Sequence, residues 1–189
     1  VSVGGFFKSR LKPDIIVYLD KFYPGLLGAL KSATFSMDFW SDVNDKITVP
    51  GVAADLDFPD VVVSGLPEGF RIIRAIAFLK FRAIRDISGV DNYIDLAGKA
   101  IRVKKSTGTW GIDDLIAINF DLNQWYVAAN QKESGDVCFG DNDLKSEVDS
   151  VATYNFRSEQ TNRGDAISAL ANSLELYDVQ MGLRVYFGL

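Results

Sequence analysis

Leu176-Tyr177-Asp178-Val179-Gln180-Met181-Gly182-Leu183-Arg184-Val185-Tyr186-Phe187 is the stretch that decides the fold. Tyr177, Val179, Met181, Leu183, Val185 and Phe187 fall on one side of a period of two, and Asp178, Gln180, Gly182, Arg184 and Tyr186 on the other. That alternation predicts a long strand with one buried and one wet face. The same pattern recurs at Phe35, Met37 and Phe39, at Ile101 and Val103, and at Ala152, Tyr154 and Phe156. Shorter β-rich runs lie at Lys46 to Val49, Val61 to Val63, Gln124 to Ala129 and Val137 to Phe139. Turn signals separate them, among them Pro50-Gly51, Ser64-Gly65-Leu66-Pro67, Ser134-Gly135-Asp136 and Gly140-Asp141-Asn142. About eight strands with no βαβ rhythm predict an all-β protein, an antiparallel jelly-roll-like β-sandwich.

Residues 70–85 fit two templates. As a strand, Ile73, Ala75, Ala77, Leu79, Phe81 and Ala83 line an unbroken apolar face, and Arg74, Lys80 and Arg82 share the other face with Ile72, Ile76, Phe78 and Ile84. As a helix, Arg71, Arg74, Arg82 and Arg85 would gather on one side, but Phe78 falls within that stripe and Lys80 opposite it, so the strand fits with fewer violations. Residues 1–33 differ in kind: Ile15, Ile16, Leu19, Phe22, Tyr23, Leu26, Leu27 and Leu30 follow helical spacing, interrupted by Pro24-Gly25. With Phe6-Phe7-Lys8-Ser9-Arg10 they read as an N-terminal arm or extension preceding a sandwich domain at 34–189. Two short helices are expected, at Asp113 to Phe120, with Asp113 as cap, and at Asp165 to Ala171.

Composition bounds the chemistry. The chain has 189 residues, 48% hydrophobic and 24% charged, enough for a full core without staples. It has no histidine and one cysteine, Cys138, which excludes serine/histidine and cysteine/histidine hydrolase sites and an intramolecular disulfide. Any enzyme would have to work through carboxylates, tyrosine or lysine, and no residue set selects itself as catalytic, cofactor-binding or metal-binding; the expectation is a non-enzyme without cofactors. A net charge of -5 disfavours nucleic acid as main partner and an anionic membrane surface. By segment the charge runs +3 over 1–33, -6 over 34–70, +6 over 71–105 and -8 over 106–189. Such segregation either places opposite potentials on different faces, favouring ordered self-association, or only reflects solvated loops. No apolar run is long enough to span a membrane, and Val1-Ser2-Val3-Gly4-Gly5 is no signal peptide. The start at Val1 fits methionine removal or cleavage of a preceding segment.

Several features invite a function and have a plainer reading. Asp136, Asp141, Asp143, Glu147 and Asp149 offer calcium ligands, yet depart from the EF-hand pattern at Lys145 and read otherwise as a solvated acidic loop. Trp110, in Thr107-Gly108-Thr109-Trp110-Gly111, is the tryptophan best placed to stand on a loop and stack on a sugar, which makes a carbohydrate-binding module the alternative function. Trp125 reads as core, Arg163-Gly164-Asp165 as a turn, and Cys138 as a small buried hydrophobe.

Asp60-Val61-Val62-Val63-Ser64-Gly65-Leu66-Pro67, its continuation through Arg71 to Phe81, Gly135-Asp136-Val137 and the ending Leu176 to Phe187 resemble β-rich proteins encoded among the structural genes of tailed phages and prophages. The likeness spans residues 55–189 and rests on strand and turn text. It implies a virion structural protein, capsid-decorating or tail-associated, assembled in the host cytoplasm and acting as a homo-oligomer, a trimer being one arrangement, docked on other virion proteins. It carries over no site residues.

Overall fold

The computed structural model describes residues 32–49, 54–86, 94–95, 99–119, 126–127, 133–134, 137–159 and 174–189. The proposed arm through residue 31, Trp125, Arg163-Gly164-Asp165 and the helix expected at Asp165 to Ala171 lie outside them. The strands are β1 (Phe35–Trp40), β2 (Asn44–Val49), β3 (Leu56–Val63), β4 (Arg71–Lys80), β5 (Ala83–Asp86), β6 (Ile94–Asp95), β7 (Ala100–Lys105), β8 (Leu115–Asn119), β9 (Tyr126–Val127), β10 (Glu133–Ser134), β11 (Val137–Phe139), β12 (Ala152–Ser158) and β13 (Leu174–Gly188).

β13 organises one sheet. Its second half pairs with β1 on one side and β4 on the other, and its first half with β2 and β5. β11 and β10 then extend β4 and β5. Thus β1–β2, β4–β5 and β10–β11 are each one long strand broken in the middle. The break recurs at one level of the sheet: at Ser41 to Val43, at Phe81 and Arg82, and in β13 at Asp178, whose φ is 51°. Asparagine and aspartate tolerate this left-handed conformation better than other side-chain-bearing residues. The backbone groups freed there are used: Arg82 N–H donates to the Tyr177 carbonyl (2.8 Å), Ser41 N–H to the Met181 carbonyl (2.9 Å), and Met181 N–H to Ser41 Oγ (3.0 Å). Arg82 also forms an ion pair with Asp178.

Counting each broken strand once and leaving aside the β6–β9 ladder gives eight strands among the described residues; in chain order, one sheet reads 1-8-3-6 and the other, β3-β12-β7-β8, reads 2-7-4-5. First pairs with last, second with seventh, third with sixth and fourth with fifth, as when a single long hairpin is folded over on itself. That is the connectivity of a jelly roll. Val61, Val63, Ala75, Ala77, Ile101, Val103, Tyr154, Phe156, Met181, Leu183 and Val185, contributed by both sheets, fill the space between. Fully burying one such aliphatic side chain stabilises the fold by about 1.5–3 kcal/mol. The one large polar group among them is satisfied, since Tyr154 Oη donates to the Ser150 carbonyl at 2.7 Å.

Irregularities correct the alternation read from sequence. At Asp178 the phase slips by one residue, so Leu176, not Tyr177, joins the core opposite Ile47, and Tyr177 takes the other face, where it and Lys46 bond the buried Glu175. A bulge between Ile72 and Arg74 puts Ile72 in the core and leaves Ile73 exposed. In β3, Pro59 and Asp60 together oppose Asn155, so Leu56 and Phe58 point inward before the bulge and Val61 and Val63 after it. Proline is tolerated there because β3 is an edge strand and the bulge needs no ladder donor. The helix expected at Asp113 to Phe120 is instead a turn followed by β8, where Ala117 is the extra residue of a third bulge and Ala117 and Ile118 are both buried. The bulge removes strict alternation, which is why the segment resembled a helix. Asp114 rather than Asp113 fixes the turn, its carboxylate accepting from Gly111 N–H at 2.7 Å.

The acidic segment after β11 is structural. Gly140 N–H donates to the Ala77 carbonyl (2.8 Å) and Leu144 N–H to the Ala75 carbonyl (2.8 Å), carrying the chain along β4, while Leu144 and Val148 are fully buried. Asp143 Oδ1 accepts from the backbone N–H of Ala75 and Lys145 (each 3.1 Å), and Glu147 Oε1 from Lys105 N–H (2.6 Å). Asp149 pairs with Lys105 Nζ at 2.5 Å. That bond from Lys105 holds the Asp149 carboxyl below its ordinary range, although burial opposes it. A carboxyl depressed in the folded state contributes stability above its unfolded pKa and loses it as pH falls through the folded value. Asp149→Asn should therefore cost less than about 1 kcal/mol at neutral pH, both side chains being partly solvated, and the difference from wild type should vanish in acid, as read by urea denaturation across pH.

Two glycines are fixed by contact. A Cβ on Gly182 would stand 2.1 Å from the Phe78 ring, and one on Gly140 would stand 1.9 Å from the Ala117 carbonyl oxygen. The first obstacle is a side chain and the second is backbone. Gly182→Ala should cost about 1–3 kcal/mol, with most of that cost removed in a Phe78→Val background. Gly140→Ala should cost more and be indifferent to Phe78→Val, in the same urea-denaturation measurement.

Candidate functional site

The outer face of the first sheet carries the mixed cationic and aromatic surface expected of β4, with changes. Arg74 and Lys80 are exposed, but Phe78 is almost fully buried beside Trp40, whose ring lies 4.3 Å away at 76°, with Gly182 between their strands. An aromatic pair laid across a strand glycine covers backbone that the glycine leaves bare. Arg184 grips Asp38 through two bonds of 2.8 and 2.9 Å, which holds the guanidinium well above its ordinary pKa, and Arg74 lies 5.8 Å from the Tyr186 ring centroid. The basic segment 71–105 does not form one patch: Arg71, Arg74 and Lys80 belong to the first sheet, Arg102, Lys104 and Lys105 to the second.

At the rim of this sheet, β1 and β2 pair with β13 alone among the described residues. Met37, Trp40 and Val43 are 36%, 42% and 51% exposed along that stretch. An open strand edge bearing large apolar groups is suited to contact with another chain.

The second sheet holds a cleft. After β7 the chain turns back over the outer face of its own sheet, and Trp110 comes to rest with its ring centroid 5.1 Å from Lys104 Nζ and 5.0 Å from Arg157 Cζ. Both distances suit cation–π attraction. Asp57, Asp60, Lys104, Asn155 and Arg157 line the cleft with Trp110, and its volume is about 610 Å3. The β3 bulge matters here, because it aims both Asp57 and Asp60 outward although they stand three positions apart, an odd spacing that would otherwise put them on opposite faces. Arg157 is committed to carboxylates in and just before β3: it bonds Asp57 at 2.6 and 3.2 Å and reaches Asp55 at 3.6 Å, and the bond to Asp57 raises its pKa further. Lys104, only 8% exposed, donates to Asn155 Oδ1 (2.8 Å) and to the Lys105 carbonyl (3.2 Å).

Of the residues singled out from the sequence, Trp110 is therefore half-buried in a polar cleft rather than freely exposed on its loop. Asp143, Glu147 and Asp149 are spread over separate structural bonds, Asp141 is exposed, Asp136 lies outside the described residues, and no group of three or more metal-ligating side chains occurs among the described residues. Lys104, Asn155, Arg157, Asp57 and Asp60 escaped the sequence reading because three strands far apart in the chain bring them together. The one local signal was the pair of aspartates flanking Pro59, whose spacing is out of phase unless the strand bulges.

No protein-family model and no curated protein matches the chain. Among solved structures, the crystal structure of FLHE aligns with 84% of this chain and 100% of its own, at 8% identity and a TM-score of 0.32. A chain in the structure of the infectious bursal disease virus Gx strain aligns with 83% of this chain and 37% of its own, at 8% identity and a TM-score of 0.33. Similarity this slight adds nothing to the strand pairings, on which the jelly-roll assignment rests.

Proposed function

We propose that the chain is a non-enzymatic structural subunit of a tailed-phage-like virion, capsid-decorating or tail-associated, working by self-association and docking on neighbouring particle proteins. The observation that carries this reading is the β1–β2 edge, unpaired on its outer side among the described residues, with Met37, Trp40 and Val43 exposed along it. Jelly rolls serve as coat domains and also as lectins, so the fold supports the reading by analogy alone. The likeness of residues 55–189 to phage structural proteins points the same way. Three side chains do not make an interface, which buries about 800 Å2 per partner in a standard complex. Phe6, Phe7, Ile16, Phe22 and Leu26 of the N-terminal segment are the apolar groups that would supply the rest.

Analytical ultracentrifugation at low and high salt tests the proposal. The full chain should sediment as a discrete oligomer or larger assembly. Deletion of residues 1–33, or the double substitution Met37→Lys and Val43→Lys, should give a monomer with unchanged far-UV circular dichroism, since edge lysines oppose strand addition. A folded monomer of the full chain under every condition would count against self-association. An oligomer indifferent to both changes would place the contact elsewhere.

A further inference from the structure

We propose that the Trp110 cleft is a binding site for an acidic sugar, a pyranose bearing a carboxylate, whose ring stacks on the indole while its carboxylate meets Lys104. The inference does not depend on how the chain assembles.

The argument starts from charge. Of the cations around the cleft, Arg157 is neutralised by Asp57 and Asp55, and the neighbouring Lys105 by Asp149. Lys104 is the most buried of the three, yet among the described residues its bonds go only to neutral oxygens and its remaining contact is the Trp110 ring. Burying an ammonium group without a counter-ion is costly, and an anion delivered by a ligand offsets that cost. The site is too large and too aromatic for a bare anion. About 610 Å3 is within the range of small-molecule sites, and a half-exposed indole offers the flat apolar surface on which a sugar face stacks.

The acids at the rim narrow the ligand further. Asp60 and the solvated side of Asp57 accept hydrogen bonds from hydroxyls and repel additional negative charge, whereas Asn155 offers amide donors. A ligand rich in hydroxyls with one carboxylate per ring satisfies this layout. A polyphosphate, which carries charge but neither hydroxyl donors for the two carboxylates nor an apolar face for the indole, does not.

Isothermal titration of the full chain with trigalacturonate, maltotriose and acetate tests the assignment. Trigalacturonate should bind, weaken as salt is raised, and exceed maltotriose in affinity by about tenfold or more. Lys104→Met, which keeps the apolar stem, should reduce its binding at least about tenfold, and Trp110→Ala should abolish it while thermal denaturation shows both variants folded. Equal affinity for maltotriose and trigalacturonate would overturn the role of Lys104. Acetate binding as tightly as trigalacturonate would overturn the sugar, and absence of binding by all three probes would overturn the site. Should Lys104→Met fail to fold, the salt dependence and the maltotriose comparison on the wild-type chain decide the question.

Discussion

The backbone hydrogen bonds of Leu174–Gly188 are the interaction on which the rest of the molecule depends. β13 is the last strand of the chain and lies between the first and third of the eight, so the first sheet cannot close until the C-terminal residues are in place. The pairing is non-local by construction, and closing it costs loop entropy before any contact offsets that cost. Its length is workable only because the strand breaks at Asp178, level with breaks in both neighbours. Three straight strands of that length would twist away from the second sheet; three strands bent at one level keep both halves against the core.

The same device explains which parts of the fold could be read in the sequence. Where β13 runs unbroken from Val179 to Phe187, the alternation predicted burial correctly at Val179, Met181, Leu183, Val185 and Phe187. Where a residue is inserted, the prediction slipped with it: at Tyr177, at Ile73, and over Leu115 to Asn119, where a bulged strand passed for a helix. A period of two carries no memory across an extra residue. The number of strands and their two-sheet arrangement survive such slips, because they depend on how many strand-like segments exist and not on which face each residue takes.

The cleft was less legible for a different reason. Trp110 stood out as a loop tryptophan, but what gives it meaning is the pairing state of the cations beside it, a property of β3, β7 and β12 assembled. Arg102, Lys104 and Lys105 read in the sequence as part of one basic block. In the fold Lys105 leans to Asp149, Arg102 donates to the Asp114 carbonyl at 3.0 Å, and Lys104 faces the indole. Charge counted along a strand says nothing about partners, since neighbouring positions project to opposite faces.

The two outer faces of the sandwich consequently differ in what they leave available. On the first sheet, side chains from adjacent strands complete one another: Arg184 with Asp38, Trp40 with Phe78 over Gly182, and Arg74 beside Tyr186. Such a face is level, and apart from Ile73 on β4 its remaining apolar exposure lies along the β1–β2 rim, at Met37 and Val43 as well as Trp40. On the second sheet the β7–β8 connection rises over the strands instead of lying beside them, so the surface is a wall of Trp110 facing a floor of Lys104 and Asn155. A level face with an apolar rim suits association between large bodies, and a walled floor with a buried cation suits a small polar ligand. One eight-stranded hairpin, folded once, supplies both surfaces.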